Sequence, residues 1–265
     1  MVEIEYRKRT IFLLFFFLVS IHLCVNAQTE EYKQFWNEFQ FTRTISDKWV
    51  SEINLGSSFS NTTTENNILK TNIQRNLRIW GHYYYSPRWK ISSFLAYYYN
   101  KDVPDIGQYE SPEWRFALQG IYYFHKIGYT LSTRMRTELR FIRNQDLVYE
   151  DVYRYRQQLK FLKPINSQLL RKGVFYFVSS DEIFIKSAAK TTGLTFFDRN
   201  RFAAGGGYII TDNFQVELTY VNEFLPRDNL NQLYHALSLT LTFNNFLTNL
   251  KKKFAAKPPD SDPPD

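Results

Sequence analysis

From Phe35 onward, apolar and polar residues alternate with a period of two, in segments of about 10 to 14 residues divided by polar stretches. In 232–244, Leu233, His235, Leu237, Leu239, Leu241 and Phe243 fall on one face and Tyr234, Ala236, Ser238, Thr240 and Thr242 on the other, because successive strand side chains point to opposite sides. Only the first of these faces suits lipid. The segment 129–141 sets Tyr129, Leu131, Thr133, Met135, Thr137, Leu139 and Phe141 against Thr130, Ser132, Arg134, Arg136, Glu138 and Arg140. In 113–124, Trp114, Phe116, Leu118, Tyr122 and Phe124 oppose Glu113, Arg115, Ala117 and Gln119. In 69–79, Leu69, Ile73, Leu77 and Ile79 oppose Lys70, Asn72, Gln74, Asn76 and Arg78, while Arg75 breaks the pattern as a residue near an interface would.

The pattern predicts eleven strands, at 35–45, 49–59, 68–83, 89–100, 113–125, 128–142, 152–163, 172–185, 200–210, 214–225 and 232–244. Single-chain bacterial barrels usually have an even number, which points to one strand missed, split or merged and to a range of about 10–12. Tight turns are expected at Ser46, Asp47 and Lys48, at Ser86, Pro87 and Arg88, at 126–128, and at Thr211, Asp212 and Asn213. Longer polar connections fall at 60–67, 101–112, 143–151, 186–199 and 226–231. Short turns alternating with longer loops are the rhythm of an antiparallel transmembrane β-barrel, the all-β fold expected here. Trp49 and Trp89, directly after the first two turns, stand where an aromatic girdle belongs.

Composition sharpens this reading, since 24 Phe, 19 Tyr and 5 Trp accompany a mean hydropathy of -0.41. Alternating strands give that combination and a bundle of apolar helices does not. At the N-terminus Arg7, Lys8 and Arg9 precede the apolar run 11–25, and Val25, Asn26 and Ala27 follow it, as in a secretory signal peptide cleaved after Ala27. The run is shorter than the roughly 20 residues a spanning helix needs. The expected organisation is a signal peptide at 1–27, a barrel at 28–245 and a tail at 246–265. From 251 the tail reads KKKFAAKPPDSDPPD, a proline-rich stretch of disordered character whose basic start also suits lipid headgroups.

Cleavage after Ala27 removes Arg7, Lys8 and Arg9 with Glu3 and Glu5, so 33 basic and 26 acidic residues become 30 and 24 and the charge falls from +7 to +6. The basic residues sit on one face of alternating strands and form no patch, which excludes nucleic acid as a partner. Cys24, the one cysteine, lies inside the signal segment. A cysteine-free mature chain is compatible with a barrel closed by its own hydrogen-bond ladder.

A two-residue hairpin loop at Lys126 and Ile127 would set Glu113 opposite Arg140 and Arg115 opposite Glu138. Arg154, Arg156 and Lys160 extend the same face on the next strand. The lumen-lining candidates are therefore Glu113, Arg115, Arg134, Arg136, Glu138, Arg140, Arg154, Arg156 and Lys160. An Arg-rich lumen favours anionic solutes. Paired Arg and Glu also simply fill a narrow barrel and satisfy one another, and that structural role takes precedence because a barrel of this size leaves little room for water.

Enzymatic chemistry finds less support. Beyond Ala27 the histidines are His82, His125 and His235, none with a serine two residues away, the spacing that shares a strand face, and Ser238 lies on the face opposite His235. A triad assembled across strands remains the alternative. Asp181 and Glu182 point to opposite faces and make a poor acid/base pair, leaving lumen or interface polarity as their role. Gly205, Gly206 and Gly207 sit in a strand, where they permit curvature or close packing. No Cys/His ligand set, P-loop or dinucleotide fingerprint occurs, so no metal or cofactor is expected.

The segments FWNEFQFTRTISDKW (35–49), RMRTELRFIRN (134–144), YRYRQQLKF (153–161), DEIFI (181–185) and DRNRFAAGGGY (198–208) together resemble the domain-of-unknown-function family numbered 2490. The resemblance covers about residues 28 to 245. It implies an outer-membrane barrel and carries no activity or catalytic residue with it. Phe243 or Phe246 would end the assembly signal read by the barrel-assembly machinery. The function expected is that of a non-enzymatic outer-membrane barrel, structural or a narrow passive conduit for small, anionic solutes, with membrane lipid as its partner. A hydrolase acting on lipid or lipopolysaccharide is one rival. A soluble secreted barrel with its apolar face turned inward is the other, since alternation alone serves either orientation.

Overall fold

The computed structural model describes residues 29–227 and 230–246. Eleven strands follow one another along the chain: β1 (Thr29–Thr44), β2 (Trp49–Ser60), β3 (Thr71–Ser86), β4 (Trp89–Asn100), β5 (Ser111–Lys126), β6 (Tyr129–Arg143), β7 (Tyr149–Pro164), β8 (Phe175–Lys186), β9 (Phe197–Thr211), β10 (Phe214–Leu225) and β11 (Asn231–Asn244). Each pairs antiparallel with the next, and β1 pairs β11 in parallel from Thr29↔Asn231 to Thr42↔Asn244, closing the barrel. The eleven segments of the sequence pattern thus stand, without a twelfth among the described residues. An odd count makes first and last strands run the same way, and the slanted bonds of a parallel pair still close the ladder. The signal segment and the tail beyond Phe246 lie outside the described residues.

One end of the barrel carries the connections 45–48, 87–88, 127–128, 165–174 and 212–213, and is called here the turn end. The loop end carries 61–70, 101–110, 144–148, 187–196 and 226–230. The long 165–174 connection interrupts the expected rhythm of short turns. Its backbone is tied down where Ile165 N donates to Phe175 O at 2.8 Å and Asn166 Oδ1 accepts from Phe175 N at 2.9 Å.

The faces divide as the alternation requires. Leu118, Met135, Leu95 and Ile79 stand outward and more than half exposed (55%, 55%, 53% and 52%), whereas Glu113, Arg115, Arg136, Glu138, Arg140, Arg154 and Arg156 are turned inward and buried. The alternating apolar face therefore points away from the interior. At the turn end every strand contributes an outward aromatic ring: Phe41, Trp49, Tyr83, Trp89, Tyr122, Tyr129, Phe161, Phe175, Tyr208, Phe214 and Phe243 in strand order. Several adjacent members touch, with ring centroids 4.9 Å apart in Trp49–Tyr83 and Trp89–Tyr122, 4.2 Å in Phe175–Tyr208 and 4.7 Å in Phe214–Phe243. Phe246 joins the ring 5.5 Å from Phe41, just past the end of β11.

Four strand pairs carry a register shift, and two of these shifts re-aim side chains toward the interior. The register of β2 and β3 shifts between Ser58 and Phe59, leaving Ile73 unpaired. A bulge re-aims the side chain beside it, so Ile73 is buried with Tyr32, Val103 and Ile106 instead of facing outward as expected, and Leu69 belongs to the 61–70 connection. Arg75 stays outside, its Nε donating to Asn72 Oδ1 at 3.1 Å. The second shift, between Phe184 and Ile185 on β8, leaves Asp198 of β9 unpaired and turns both Asp198 and Arg199 toward the interior.

Candidate functional site

The inward faces meet in a chain of ion pairs. Gly128, at φ 82°, takes the second position of a two-residue turn with Ile127, a backbone shape glycine adopts without a Cβ penalty. Lys126 therefore pairs with Tyr129, and the expected Lys126–Ile127 loop is corrected. The register moves by two: Arg115 lies opposite Arg140, Glu113 opposite Ile142, and Glu138 opposite Ala117. The opposed arginines are reconciled by Glu113, which accepts from Arg115 Nη2 at 2.9 Å and from Arg140 Nε and Nη2 at 2.5 and 2.9 Å. The expected Arg115–Glu138 pair does not form. Glu138 instead receives Arg154 Nε at 2.8 Å, Arg156 Nη1 at 2.8 Å and Arg136 Nη1 at 3.3 Å.

Glu182 continues the chain, accepting from Arg156 Nε and Nη2 at 2.9 Å each and from Arg134 Nη2 at 2.6 Å. Asp198, presented by its bulge, accepts from Arg199 Nε at 3.1 Å and faces Arg154 and Arg227. Glu223 joins Arg199 and Arg201, and Glu38 joins Arg78. Lys160 is half-buried and makes no ion pair among the described residues. The pairs beyond β5–β7 were not singled out from the sequence, although Glu38, Arg78, Glu182, Arg199, Arg201 and Glu223 sit on the same alternating face. Asp181, on the other face, accepts from Asn200 Nδ2 at 2.9 Å.

Aromatic rings fill the space between the charges. Trp80, Phe94, Ala96, Tyr98 and Ala117 form a buried cluster inside β3, β4 and β5. Arg136, from β6, reaches over Trp80 at 5.1 Å, while Arg115 stacks on Tyr98 at 3.5 Å and Arg156 on Phe184 at 4.3 Å. Tyr176 crosses Gly207 to donate to Glu217 at 3.0 Å, and a Cβ on Gly207 would sit 2.1 Å from its ring. The glycine serves close packing, as its place in a strand suggested.

A recess remains at the loop end. An inner cavity of about 370 Å³ has Arg78, Arg140, Arg199 and Arg201 among its wall residues, and an outer one of about 610 Å³ is walled by connections 101–110 and 144–148. They share Asn100, Gln108, Arg227, Gln232 and Tyr234 and so form one continuous depression. The 101–110 connection folds over its mouth, with Gln108 Nε2 donating to Ile73 O and Lys101 O at 2.8 and 2.7 Å. Arg227 belongs to the 226–230 connection, and burial and then Arg199 push its guanidinium below its usual pKa.

The described histidines fall in three places. His82 Nδ1 lies 2.8 Å from Ser92 Oγ and Nε2 lies 3.3 Å from Glu52 Oε2, a serine, histidine and carboxylate assembled across three strands. Ser92 is 2% exposed, and none of the three lines the recess. The cross-strand distance was invisible to a search along one strand. His235 faces outward, with Nδ1 2.5 Å from Tyr220 Oη, and His125 sits near the turn end against Thr130 and the carbonyl of Pro87. Among the described residues no cluster of His, Cys, Asp and Glu has the form of a metal site.

A family model described as "Protein of unknown function (DUF2490)" matches residues 33–234. The chain belongs to this family. The DUF2490 match begins within β1 and ends within β11, so it takes in the full ring of strands and every ion pair described above. No curated protein and no solved structure matches the chain.

Proposed function

We propose that this protein is a non-enzymatic outer-membrane β-barrel, exported by a signal peptide cleaved near Ala27, with its interior closed to passive flow. The observation that carries the reading is the aromatic girdle drawn from all eleven strands, placed below an outward apolar band. Tyr, Trp and Phe rings at a fixed level match a membrane–water interface. In water the same surface would be a patch far larger than the few hundred Å² a soluble monomer tolerates. Strands of 12 to 16 residues, rising about 3.3 Å per residue and tilted about 40°, cover the roughly 25 Å apolar band of such barrels.

The turn end faces the periplasm and the longer connections face outward, the usual arrangement of these proteins. Membrane lipid and the barrel-assembly machinery are the partners, with Phe243 and Phe246 at the recognised end. A charged network in which Glu113, Glu138, Glu182 and Asp198 are each shared by two or three guanidiniums, packed among Trp80, Phe94 and Phe184, supports a plugged interior more than an open conduit. Outer-membrane recovery of the native protein, with a change in gel mobility on boiling and no steady conductance in planar bilayers, is the expected result. Recovery as a soluble protein would reject the membrane reading, and stable conductance would reject the plug.

The hydrolase reading has one favourable observation, the Ser92–His82–Glu52 relay. Its enclosure leaves a substrate no approach, and it links β2, β3 and β4 as a polar staple. Phospholipid hydrolysis by purified protein that disappears in Ser92→Ala, with the boiling shift retained, would reverse this judgement.

A further inference from the structure

The inner recess carries more positive charge than its partners neutralise. Eight arginines but only two carboxylates, Glu38 and Glu223, line it. Four deeper acids, Glu113, Glu138, Glu182 and Asp198, are at most 2% exposed and are each shared by two or three guanidiniums. Adding Arg134 and Arg136, ten arginines share six carboxylates, an excess of four positive charges in this set of ion pairs. Low-dielectric walls concentrate such a field and draw in anions.

Two of these arginines are open toward the recess, Arg201 and Arg227, each with 30% of its side chain exposed. Arg201 makes one ion pair, through Nε to Glu223, and its Nη1 and Nη2 donate to no described residue. Its plane rests 5.0 Å from Trp36 and 5.2 Å from Phe184, which fixes where those donors lie. Arg227 spends Nη1 on the carbonyl oxygens of Pro226 and Asp198, and Nη2 has no partner among the described residues. Two further wall residues hold buried atoms without a hydrogen-bond partner, Arg78 at Nε and Asn76 at Oδ1. Guanidinium forks with unspent donors suit phosphate and carboxylate oxygens.

The uncharged part of the wall is rich in amides: Gln34, Asn37, Gln74, Asn100, Gln108 and Gln232. An amide carries a donor and an acceptor, the combination that hydroxyl groups require; Gln108 Nε2 is spent on Ile73 O and Lys101 O, and its Oε1 accepts from no described residue. The volumes of about 370 and 610 Å³ lie in the range of small-molecule sites. We propose that the recess binds a small polyhydroxylated anion, a sugar phosphate or sugar acid, which enters at the loop end and is held by Arg201 and Arg227 while the amides take its hydroxyls. The inference rests on the closed-barrel reading for the direction of entry. Binding itself is measured on detergent-purified protein, so loss of the membrane assignment and loss of the ligand are separate results.

The test is calorimetric titration of the folded full-length protein with glucose 6-phosphate, glucuronate, glucose and inorganic phosphate, with fluorescence of Trp36 in the recess wall as a second readout. At least one of the two sugar anions is expected to saturate the site, the pair distinguishing phosphate from carboxylate as the charged group. Affinity is expected to fall about tenfold or more in Arg227→Gln and in Arg201→Gln, the scale of one charge-assisted hydrogen bond. Gln108→Ala, which keeps every charge, is expected to weaken the sugar anion and leave inorganic phosphate unchanged. Arg227 lies in a connection, and its loss leaves Asp198 still paired to Arg154 and Arg199, so that variant keeps the barrel and its boiling shift. Silence toward both sugar anions would overturn the proposal, as would unchanged affinity in folded Arg227→Gln, or glucose or phosphate binding as tightly as the sugar anions.

Discussion

Glu113 shows how much one carboxylate carries in this interior: it is fully enclosed and serves both Arg115 and Arg140. Glu113→Gln leaves two buried guanidiniums sharing a neutral amide, a loss expected to cost about 3–5 kcal/mol. The pair Arg143–Glu110 at the loop-end rim is partly exposed, and Arg143→Ala is expected to cost no more than about 1 kcal/mol. Urea unfolding in lipid vesicles measures both, and equal losses would mean that burial is not what gives the interior pairs their weight. Gly207 is constrained differently, by the ring of Tyr176. Gly207→Ala is expected to cost about 1–3 kcal/mol as overpacking, and Tyr176→Ala in the same chain should recover part of it, a coupling that additive losses would refute. In the 61–70 connection, hydrogen bonds from Lys70 and the amide of Asn67 hold the Glu65 carboxyl below its usual pKa. A depressed carboxyl contributes order above the ordinary carboxylate range and loses it as pH falls through the lowered value. NMR titration should find Glu65 protonating below a normal glutamate, and closer to normal in Lys70→Ala.

Strand pairing can be tested at the seam where β1 and β11 run in parallel. Gln40 and Thr242 are direct partners there, with Thr242 Oγ1 donating to Gln40 Oε1 at 3.0 Å. Cysteines at these two positions, in a Cys24→Ser chain, are expected to form a disulfide on mild oxidation, given the close approach of paired strands. Failure to cross-link, with cross-linking of Gln40→Cys to another β11 position, would place the register elsewhere. Eleven strands were legible in the sequence because alternation survives every local substitution that keeps one face apolar. Partners were less legible, for a physical reason. A slip of two residues leaves each side chain on its own face, so Glu113 and Arg140 read correctly as inward while the residues facing them did not. Only the conformation at Gly128 decides between the two hairpin loops. The bulges at Ile73 and Asp198 were equally silent, since each adds one residue to a strand without altering its composition.

Across the whole molecule, the sequence showed an Arg-rich face but not how far it reaches around the ring. Arg199 and Arg201 were quoted in DRNRFAAGGGY only as part of a resemblance, because their partner Glu223 lies on a different strand and their nearness exists only after closure. The same holds for Ser92 and His82, ten residues apart in sequence and in contact across a hairpin. The odd number of strands has one more result. β1 starts at the loop end and β11 finishes at the turn end, so the described chain enters the barrel on one side and leaves it on the other. On the proposed orientation, with the loop end outside the cell, an epitope joined just ahead of Thr29 is expected to be displayed to antibodies on intact cells, and one following Phe246 to be reached only after the envelope is opened.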